Sequence, residues 1–300
     1  MRALTDAVHA LALVLTAALL HALWNLAAKK WGGGTHFVFS CALGVCVLWL
    51  PAVLWVGLDE LPRWSWLAWG FVAASAVVHL GYFNCLIAGY RASDLTVVYP
   101  VARGSGPFLS ALAAVLLLGE HLGVYGALGL AGVVGGILLI TMGPRLIGRG
   151  VVDHEATAQI RRRHGVYWGA ATGALIAGYT VLDGYAVKVL AVSPLMLDYF
   201  GNVLRVPLQL PTLLRQPQTF WPEFRRSWRA VLAVAGLGPL AYILVLLAMR
   251  EAPLSRVAPA REVSMLFAAL LGGQLLGESE RGWRIAGAAL IGAGVIALAV

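Results

Sequence analysis

Charged residues are scarce in this sequence. Asp, Glu, Lys and Arg together make up 12% of it, whereas apolar residues make up 60%. The mean hydropathy of +0.81 lies far outside the range of soluble globular domains. A soluble fold of 300 residues could not bury so much apolar surface. The composition therefore excludes an ordinary soluble domain and indicates a chain that lies in a lipid bilayer.

Several chemical motifs are also missing from the sequence. The three cysteines, Cys41, Cys46 and Cys85, lie inside apolar runs without CxxC spacing or histidines at ligand spacing, so they predict neither a disulfide framework nor a zinc site. There is no Walker loop and no concentrated set of catalytic residues. We therefore expect no ATP hydrolysis, no enzymatic activity, no metal and no cofactor.

Positive charge exceeds negative charge, with a formal net charge of +8. The basic residues lie mainly in short segments between apolar runs, not along one helix face or in a tail, so nucleic acid is not an expected partner. They are concentrated in the odd-numbered links. Because cytoplasmic loops carry the excess of Lys and Arg, this distribution would place both termini outside.

Apolar runs of membrane-spanning length fill the chain. A hydrocarbon core about 30 Å thick needs about 20 residues of helix. Ten runs have about this length, and each predicts a membrane helix: 8–28, 37–58, 66–88, 95–117, 122–142, 166–187, 194–214, 231–249, 254–276 and 283–300. Most links are short, so neighbouring helices should be antiparallel. The longer link at 143–165 divides the chain into five helices and five.

An internal repeat supports this division. Leu118-Gly119-Glu120 recurs as Leu276-Gly277-Glu278, a shift of 158 residues (278 minus 120). The same shift relates Asn25 to Asp183 and Arg103 to Arg261. We predict a first repeat at 1–143, a connecting loop at 144–165 and a second repeat at 166–300. Because each repeat has five spans, the second is inverted relative to the first.

These motifs carry a family resemblance. The run from His21 to Asn25, the repeated Leu-Gly-Glu and the glycine-rich fifth and tenth helices resemble the ten-helix EamA-type members of the drug/metabolite transporter superfamily. The resemblance implies an all-α membrane fold with a basket of helices around a central cavity. It also implies secondary transport, often efflux of amino acids or other metabolites, in the cell inner membrane. Relatives usually have cytoplasmic termini, which leaves the orientation open against the charge distribution.

Two arginines at equivalent positions of the repeats are the leading candidate site residues. Arg103 and Arg261 lie inside apolar runs, and an ionisable side chain in the membrane needs a partner or a water-filled space. We expect the repeat symmetry to bring them to opposite walls of one central space. Arginine binds carboxylates through two parallel hydrogen bonds, which favours an anionic or zwitterionic solute.

An internal role for these arginines is the alternative. Glu262, Asp183 or Asp198 would then neutralise them, and they would serve only to fix helix packing. Successive helical residues point about 100° apart, so Arg261 and Glu262 should be poorly placed to pair with each other. We expect each of them to pair across helices or with solute.

Prolines predict interruptions in two helices. Pro100 and Pro107, together with Gly104 and Gly106, should break helix four, and prolines 253 and 259 should break helix nine. Broken helices at membrane depth are tolerated where they line a cavity. A simple packing kink is the alternative reading.

Helix seven carries a polar stripe. Asp198, Asn202, Arg205 and Gln209 are spaced i, i+4, i+7 and i+11, so they share one face. We expect this face to point inward, as the lining of a cavity or as an interhelical hydrogen-bond ladder. Arg205 also matches a position where EamA-like proteins often carry an arginine.

Histidine, carboxylate and aromatic side chains complete the candidate set. Asp183 and Glu262 are the leading candidates for proton coupling, because a desolvated carboxylate favours its protonated form. Aromatic residues could stack on a solute. The full set of candidate substrate-binding residues is Arg103, Arg261, Glu262, Arg205, Asn202, Asp183, Tyr99, Trp24, Asn25, His79, Tyr82, Tyr179 and Ser264.

Other prominent features are assigned to structure. Glu120 and Glu278 should lie at helix ends, where negative charge favours the following helix N-terminus. The glycine motifs at 132–136 and 169–173 permit close helix packing within a monomer, or dimerisation. The aromatic and basic segment 220–229 should form an arm along the lipid headgroups between helices seven and eight.

The sequence therefore predicts a secondary transporter that moves a small anionic or zwitterionic metabolite, such as an amino acid, by alternating access. Export is the expected direction. A channel or a lipid flippase of the same fold is the alternative, and a polytopic membrane enzyme is a third possibility. The expected partners are membrane lipid and the solute, and the expected assembly is a monomer or a homodimer.

Overall fold

A computed structural model of the protein describes residues 2–32, 34–57, 59–93, 95–146, 156–264, 266–267 and 281–299. The regular structure in these residues is helical, which confirms the predicted all-α fold. Besides a short 3₁₀ helix at Leu61–Arg63, the helices are α1 Arg2–Trp31, α2 Phe37–Val56, α3 Trp66–Ala92, α4 Leu95–Leu118, α5 Val124–Leu146, α6 Ala156–Lys188, α7 Pro194–Arg215, α8 Pro217–Glu251, α9 Leu254–Ala260 and α10 Arg281–Ala299.

The apolar runs locate most of these helices, but three helices begin clearly earlier than predicted. α1 begins at Arg2 and not at Val8. α6 begins at Ala156 and α8 at Pro217. The segment 220–229 is therefore the first part of α8, which corrects the expectation of a separate arm. Pro217 lies in the first turn of α8, where a missing N–H breaks no intrahelical hydrogen bond, so the helix starts there.

Large apolar side chains face outward on many helices. Trp55, Leu116 and Ile296 are 90%, 71% and 68% exposed. Exposure on this scale suits a lipid environment. Within the described ranges, five helices contain a segment long and apolar enough to cross a membrane: Val8–Ala28, Phe37–Val56, Trp66–Gly89, Val101–Leu118 and Pro217–Glu251. The count of ten spans stays a prediction.

The chain divides into two compact units, each built from both halves of the sequence. Unit 1 comprises Met1–Ala7, Val78–Val181 and Ala252–Val300. Unit 2 comprises Val8–Val77 and Leu182–Glu251. Three boundaries between the units fall inside α1, α3 and α6, and the fourth follows the end of α8 at Glu251.

In unit 1, α4 and α6 lie against each other in parallel. Gly169 of α6 contacts Val101 of α4, and one turn later Gly173 lies against Ser105, so closely that a Cβ on Gly173 would overlap the serine hydroxyl. The glycine motif at 169–173 therefore serves packing inside the chain, as predicted.

A second glycine seam in unit 1 joins α5 to α10. A Cβ on Gly129 would lie 2.6 Å from Gly294 O, and one on Gly136 would lie 2.6 Å from Gly287 O. These distances leave no room for a side chain, because the two backbones are almost in contact. Gly132 also lies against Gly294. The described glycines of α5 are thus used within one chain, and the oligomeric state stays a prediction.

Unit 2 is organised around α2, which packs against α7 and α8. Val53 of α2 forms a buried cluster with Met196 and Tyr199 of α7. Trp49 Nε1 donates a hydrogen bond of 2.9 Å to Ala235 O of α8. At the start of α8, Glu223 accepts hydrogen bonds from the buried His36 through its backbone N–H and its ring, at 2.9 and 3.2 Å.

Helix nine is interrupted, as its prolines predict. α9 ends at Ala260, and a turn at Arg261 and Glu262 follows, with helical backbone again at 263–264 and 266–267. Pro259 has no N–H to donate to Ser255 O, so the last turn of α9 lacks one α-helical hydrogen bond. Glu262 N instead donates to Pro259 O at 3.0 Å, which tightens the chain at this point.

Helix four is continuous, so the predicted break there is wrong. α4 runs from Leu95 to Leu118 without interruption. Ser105 Oγ donates to Val101 O at 2.5 Å, and Ser110 Oγ donates to Gly106 O at 2.8 Å. These serines donate back to carbonyls one turn earlier, and α4 continues through Pro100 and Pro107.

Glu120 fixes the start of α9. Its two carboxylate oxygens accept hydrogen bonds from the backbone N–H groups of Leu254 and Ser255, at 2.9 and 2.8 Å. The predicted role at a helix N-terminus is right, but the helix is α9 of the second repeat and not the following helix, α5. Glu278 lies outside the described residues.

Candidate functional site

Two arginines and a glutamate form an ionic cluster in unit 1, called here the arginine cluster. Arg103 projects from α4, whereas Arg261 and Glu262 occupy the turn after α9. Arg103 Nη1 lies 3.3 Å from Glu262 Oε2, and Arg261 Nε lies 3.7 Å from Glu262 Oε1. The Glu262 side chain is 1% exposed, Arg261 7% and Arg103 17%. One buried carboxylate therefore serves two guanidinium groups.

This geometry corrects two expectations. Arg103 and Arg261 lie at one carboxylate, and not on opposite walls of a space, because α4 packs against α9 and brings equivalent positions together. Arg261 and Glu262 also contact each other, although a helix would separate them by about 100°. Arg261 keeps helical backbone angles, but the hydrogen bonds of Glu262 N and Ser264 N reach back three residues, to Pro259 O and Arg261 O, so regular α-helical spacing does not describe this turn.

Three predicted aromatic residues meet in unit 1 as an aromatic cluster. The His79 and Tyr179 rings stack with centroids 3.9 Å apart, and Tyr82 meets Tyr179 edge-on at 5.8 Å. Ser264 is buried two residues after Glu262, and its backbone N–H donates to Arg261 O at 3.2 Å. The side chain of Tyr99 lies outside the described part of the chain.

In unit 2, acidic and basic side chains of α6 and α7 form a second group, called here the aspartate cluster: Asp183, Asp198 and Arg205. Asp183 is 1% exposed, and its Oδ2 accepts a hydrogen bond from the Tyr242 hydroxyl of α8. Arg205 acts electrostatically on both carboxylates. In this cluster, two carboxylates interact with one guanidinium group.

The polar stripe of α7 is buried, as predicted for an inward face. Asp198, Asn202 and Gln209 are each less than 9% exposed. The hydrogen bonds of the stripe run along the helix: Asn202 Nδ2 donates to Asp198 O at 2.8 Å, and Arg205 Nε donates to Gly201 O at 3.1 Å. These bonds position the side chains on α7 itself.

Two further candidates lie on α1 in unit 2. Asn25 Nδ2 donates to His21 O one turn earlier, at 2.6 Å. Trp24 meets the His21 ring edge-on at 4.7 Å, and its Nε1 is buried with no hydrogen-bond partner among the described residues. Neither contact by itself assigns a role in binding.

One residue that contacts the aspartate cluster was not predicted from the sequence. Ser75 of α3 is a hydrogen-bond partner of the Asp183 carboxylate. A serine in an apolar helix is a weak signal, but Ser75 lies one turn before His79 in the sequence, and that spacing would have marked a polar face.

The sequence matches a known protein family over most of its length. The model of the EamA-like transporter family matches residues 9–142 and again residues 163–300. The chain belongs to the EamA-like transporter family. Membership makes it an integral, multi-pass membrane protein of a transporter family with two EamA repeats, and it confirms the resemblance drawn from the sequence.

Other comparisons with the EamA-like chain bear on its fold. One solved structure, with the description "Crystal structure of protein", is similar to this chain. The match covers 96% of this chain and 95% of that one, with a TM-score of 0.75 and 20% sequence identity. At this identity the likeness shows a shared fold alone. Among the curated proteins, none matches the chain.

Proposed function

We propose that this protein is a secondary transporter of the cell inner membrane that exports a small anionic or zwitterionic metabolite, such as an amino acid. In this proposal the two repeats are inverted relative to each other. A central cavity opens alternately to either side of the membrane. The proposal rests on family membership for transport, and on the arginine cluster for the class of solute.

The observation that most directly supports this proposal is that Arg103 and Arg261 share the carboxylate of Glu262. Two guanidinium groups lie within 3.3 and 3.7 Å of Glu262 in the interior of unit 1. Charged side chains inside a membrane protein are rare, and they commonly mark a solute pathway. A guanidinium has five N–H donors in a planar fork, which suits a carboxylate.

In the proposed mechanism the carboxylate of the solute competes with Glu262. When solute is absent, Glu262 neutralises part of the positive charge of Arg103 and Arg261. When solute arrives, its carboxylate takes the place of Glu262 at one or both arginines. Glu262 thus acts as an internal counter-ion, so the site need not hold two uncompensated cations between cycles.

The interrupted helix supports this role. α9 ends at Ala260, one residue before Arg261, so the arginine and glutamate lie in a tightened turn between two stretches of helical backbone. Transporters commonly build solute sites from discontinuous helices, because half-helix ends and free backbone groups can then face the solute. The turn at 261–262 gives this protein such an element.

A thermal-shift screen followed by flux measurement tests the proposal. Purified protein is heated with amino acids, organic acids and polyamines, and we expect carboxylate-bearing solutes to stabilise it. Stabilisation by polyamines alone would contradict the proposed solute class. The strongest stabiliser is then radiolabelled, and its flux into proteoliposomes is measured. We expect flux that saturates and exchanges.

Arginine variants connect the flux to the cluster. Arg103→Ala and Arg261→Ala should each lower flux by about 10- to 100-fold, because each removes charge-assisted hydrogen bonds worth about 1.5–3 kcal/mol. Arg103→Lys keeps the charge but loses the fork, and it should lower affinity for solute more than stability. Arg63→Ala, in the exposed 3₁₀ helix, is the matched control.

The competing functions give different results in the same vesicles. Flux that rises linearly with solute and shows no exchange would indicate a channel. Movement of headgroup-labelled lipid would indicate a flippase. Unchanged flux in both alanine variants would assign the two arginines to structure and overturn the proposed site.

A further inference from the structure

Asp183 is an unusual group for the interior of a membrane protein. It lies on α6 within unit 2, and it is 1% exposed. Its Oδ2 accepts a hydrogen bond from the Tyr242 hydroxyl, and the Ser75 hydroxyl is a further partner of the carboxylate. Its Oδ1 is buried and has no hydrogen-bond partner among the described residues.

Among the residues that the structure describes, the charged groups that act on Asp183 do not balance. Those that act on it are Asp198 and Arg205 of α7, and Tyr242 of α8 is the titratable hydroxyl in contact with it. Arg205 acts on Asp198 as well. Asp198 has its own amide donor, since Asn202 Nδ2 lies 3.3 Å from Asp198 Oδ2. With both acids ionised, the cluster holds two negative charges against one positive charge.

This imbalance is unfavourable in a buried setting. A buried charge requires pairing and hydrogen bonds, and two carboxylates close together cannot both ionise easily. Binding one proton removes the excess charge and lets Arg205 compensate the remaining carboxylate. The bare Oδ1 of Asp183 is the oxygen that can take this proton without losing an existing hydrogen bond.

The hydroxyl partners suit either protonation state. Tyrosine and serine hydroxyls can donate to a carboxylate or accept from a carboxylic acid. Tyr242 can therefore keep its hydrogen bond to Asp183 after a proton adds to Oδ1, because Oδ2 still accepts in the neutral acid.

We propose that Asp183 is a proton-binding site within unit 2, and that Asp183 and Asp198 together hold one proton beside Arg205. The proton adds to Asp183 Oδ1 and converts the carboxylate to a neutral carboxylic acid. Arg205 then compensates Asp198. Loss of the proton restores the competition of both carboxylates for Arg205. That this proton drives transport rests on the proposed function; that Asp183 binds it does not.

Infrared difference spectroscopy tests the site without any solute. The purified protein, in lipid, is titrated with alkali, and the carboxylic acid C=O band is followed. We expect a band that disappears as the pH rises. The band should be absent from Asp183→Asn and present in Asp59→Asn, whose residue is exposed in the turn after α2. An unchanged band in Asp183→Asn, or no titrating band in the parent protein, would overturn the proposal.

Two neighbouring variants test the same site if Asp183→Asn does not fold. Tyr242→Phe removes a donor to the charged carboxylate, so the band should persist to a pH higher by about one to two units. Asp198→Asn removes the competing negative charge, so the band should disappear at lower pH. Failure of both shifts, or shifts of the opposite sign, would refute the arrangement.

A titration with and without sodium distinguishes a proton site from a metal cation site. The titration is repeated in sodium chloride and in choline chloride at equal ionic strength. We expect the same midpoint in both salts. Loss of the band on adding sodium at fixed pH would show a metal cation at Asp183 and overturn the proton assignment. Because no solute is present, a failed flux experiment would leave this result standing, and a failed titration would not affect the solute proposal.

Discussion

Replacing Glu262 by glutamine tests whether one carboxylate stabilises both arginines of the arginine cluster. At the observed separations of 3.3 and 3.7 Å, an effective dielectric constant of about 20 gives attractions of about 5 and about 4.5 kcal/mol. Desolvation of the three groups offsets much of this. Removing one partner of a buried ion pair nevertheless costs about 3–5 kcal/mol, because it leaves charge without its counter-ion.

The geometry predicts an asymmetry between the members of the cluster. Glu262→Gln takes the carboxylate from two arginines at once. Arg103→Gln leaves the contact between Arg261 and Glu262 in place, and it should cost only about 1.5–3 kcal/mol, the range for a hydrogen bond to a charged group. Glu262→Gln should therefore destabilise the protein more than Arg103→Gln does.

Thermal melting in detergent measures this difference. Glu262→Gln should lower the apparent melting temperature by on the order of 10 °C, and Arg103→Gln by clearly less. Glu251→Gln is the matched control, because its partner His9 is exposed and surface pairs contribute about 0–1 kcal/mol. A parent-like melting temperature for Glu262→Gln, or a larger loss for Arg103→Gln, would refute the shared-carboxylate reasoning.

Two further substitutions test the packing around this cluster. Glu120→Gln should cost about 1 kcal/mol of stability, because a neutral amide caps the two backbone N–H groups at the start of α9 less well. Glu120→Ala should cost more. Equal melting temperatures for the parent protein and both variants would contradict the cap. Gly294→Ala places a Cβ 2.7 Å from Gly129 O, so it should cost about 1–3 kcal/mol in the same assay. Gly282→Ala, which meets nothing within 4 Å, is its control, and equal effects of the two would show that the seam is loose.

Helix positions were predictable because the bilayer imposes one dominant pattern. Runs of about 20 apolar residues locate α2 to α5 and α7 within a few residues. The early starts of α6 and α8 were not predictable in this way, since helical structure at 156–165 and 217–230 extends beyond the apolar runs. Hydropathy identifies the part of a helix that suits lipid, and not the whole helix.

The candidate site was predictable in its members but not in their contacts. Arg103, Arg261 and Glu262 were recognisable as charges in apolar runs. Their shared contact depends on where α9 ends and on the packing of α4 against α9, and neither follows from repeat symmetry. Ser75 was missed because a single serine in an apolar helix has many uses, and only the three-dimensional contact with Asp183 singles it out.

The composition of the two units has a consequence for how such a chain could arise. Unit 1 combines residues 78–142 of the first repeat with residues 163–181 and 252–300 of the second, and unit 2 combines 9–77 with 182–251. The repeats are therefore interleaved, in the manner of two protomers that exchange elements. A chain with one repeat alone would lack part of each unit, and it could complete both only by associating with a second copy of itself. In the present chain both repeats are covalently joined, so each unit obtains its two parts within one molecule.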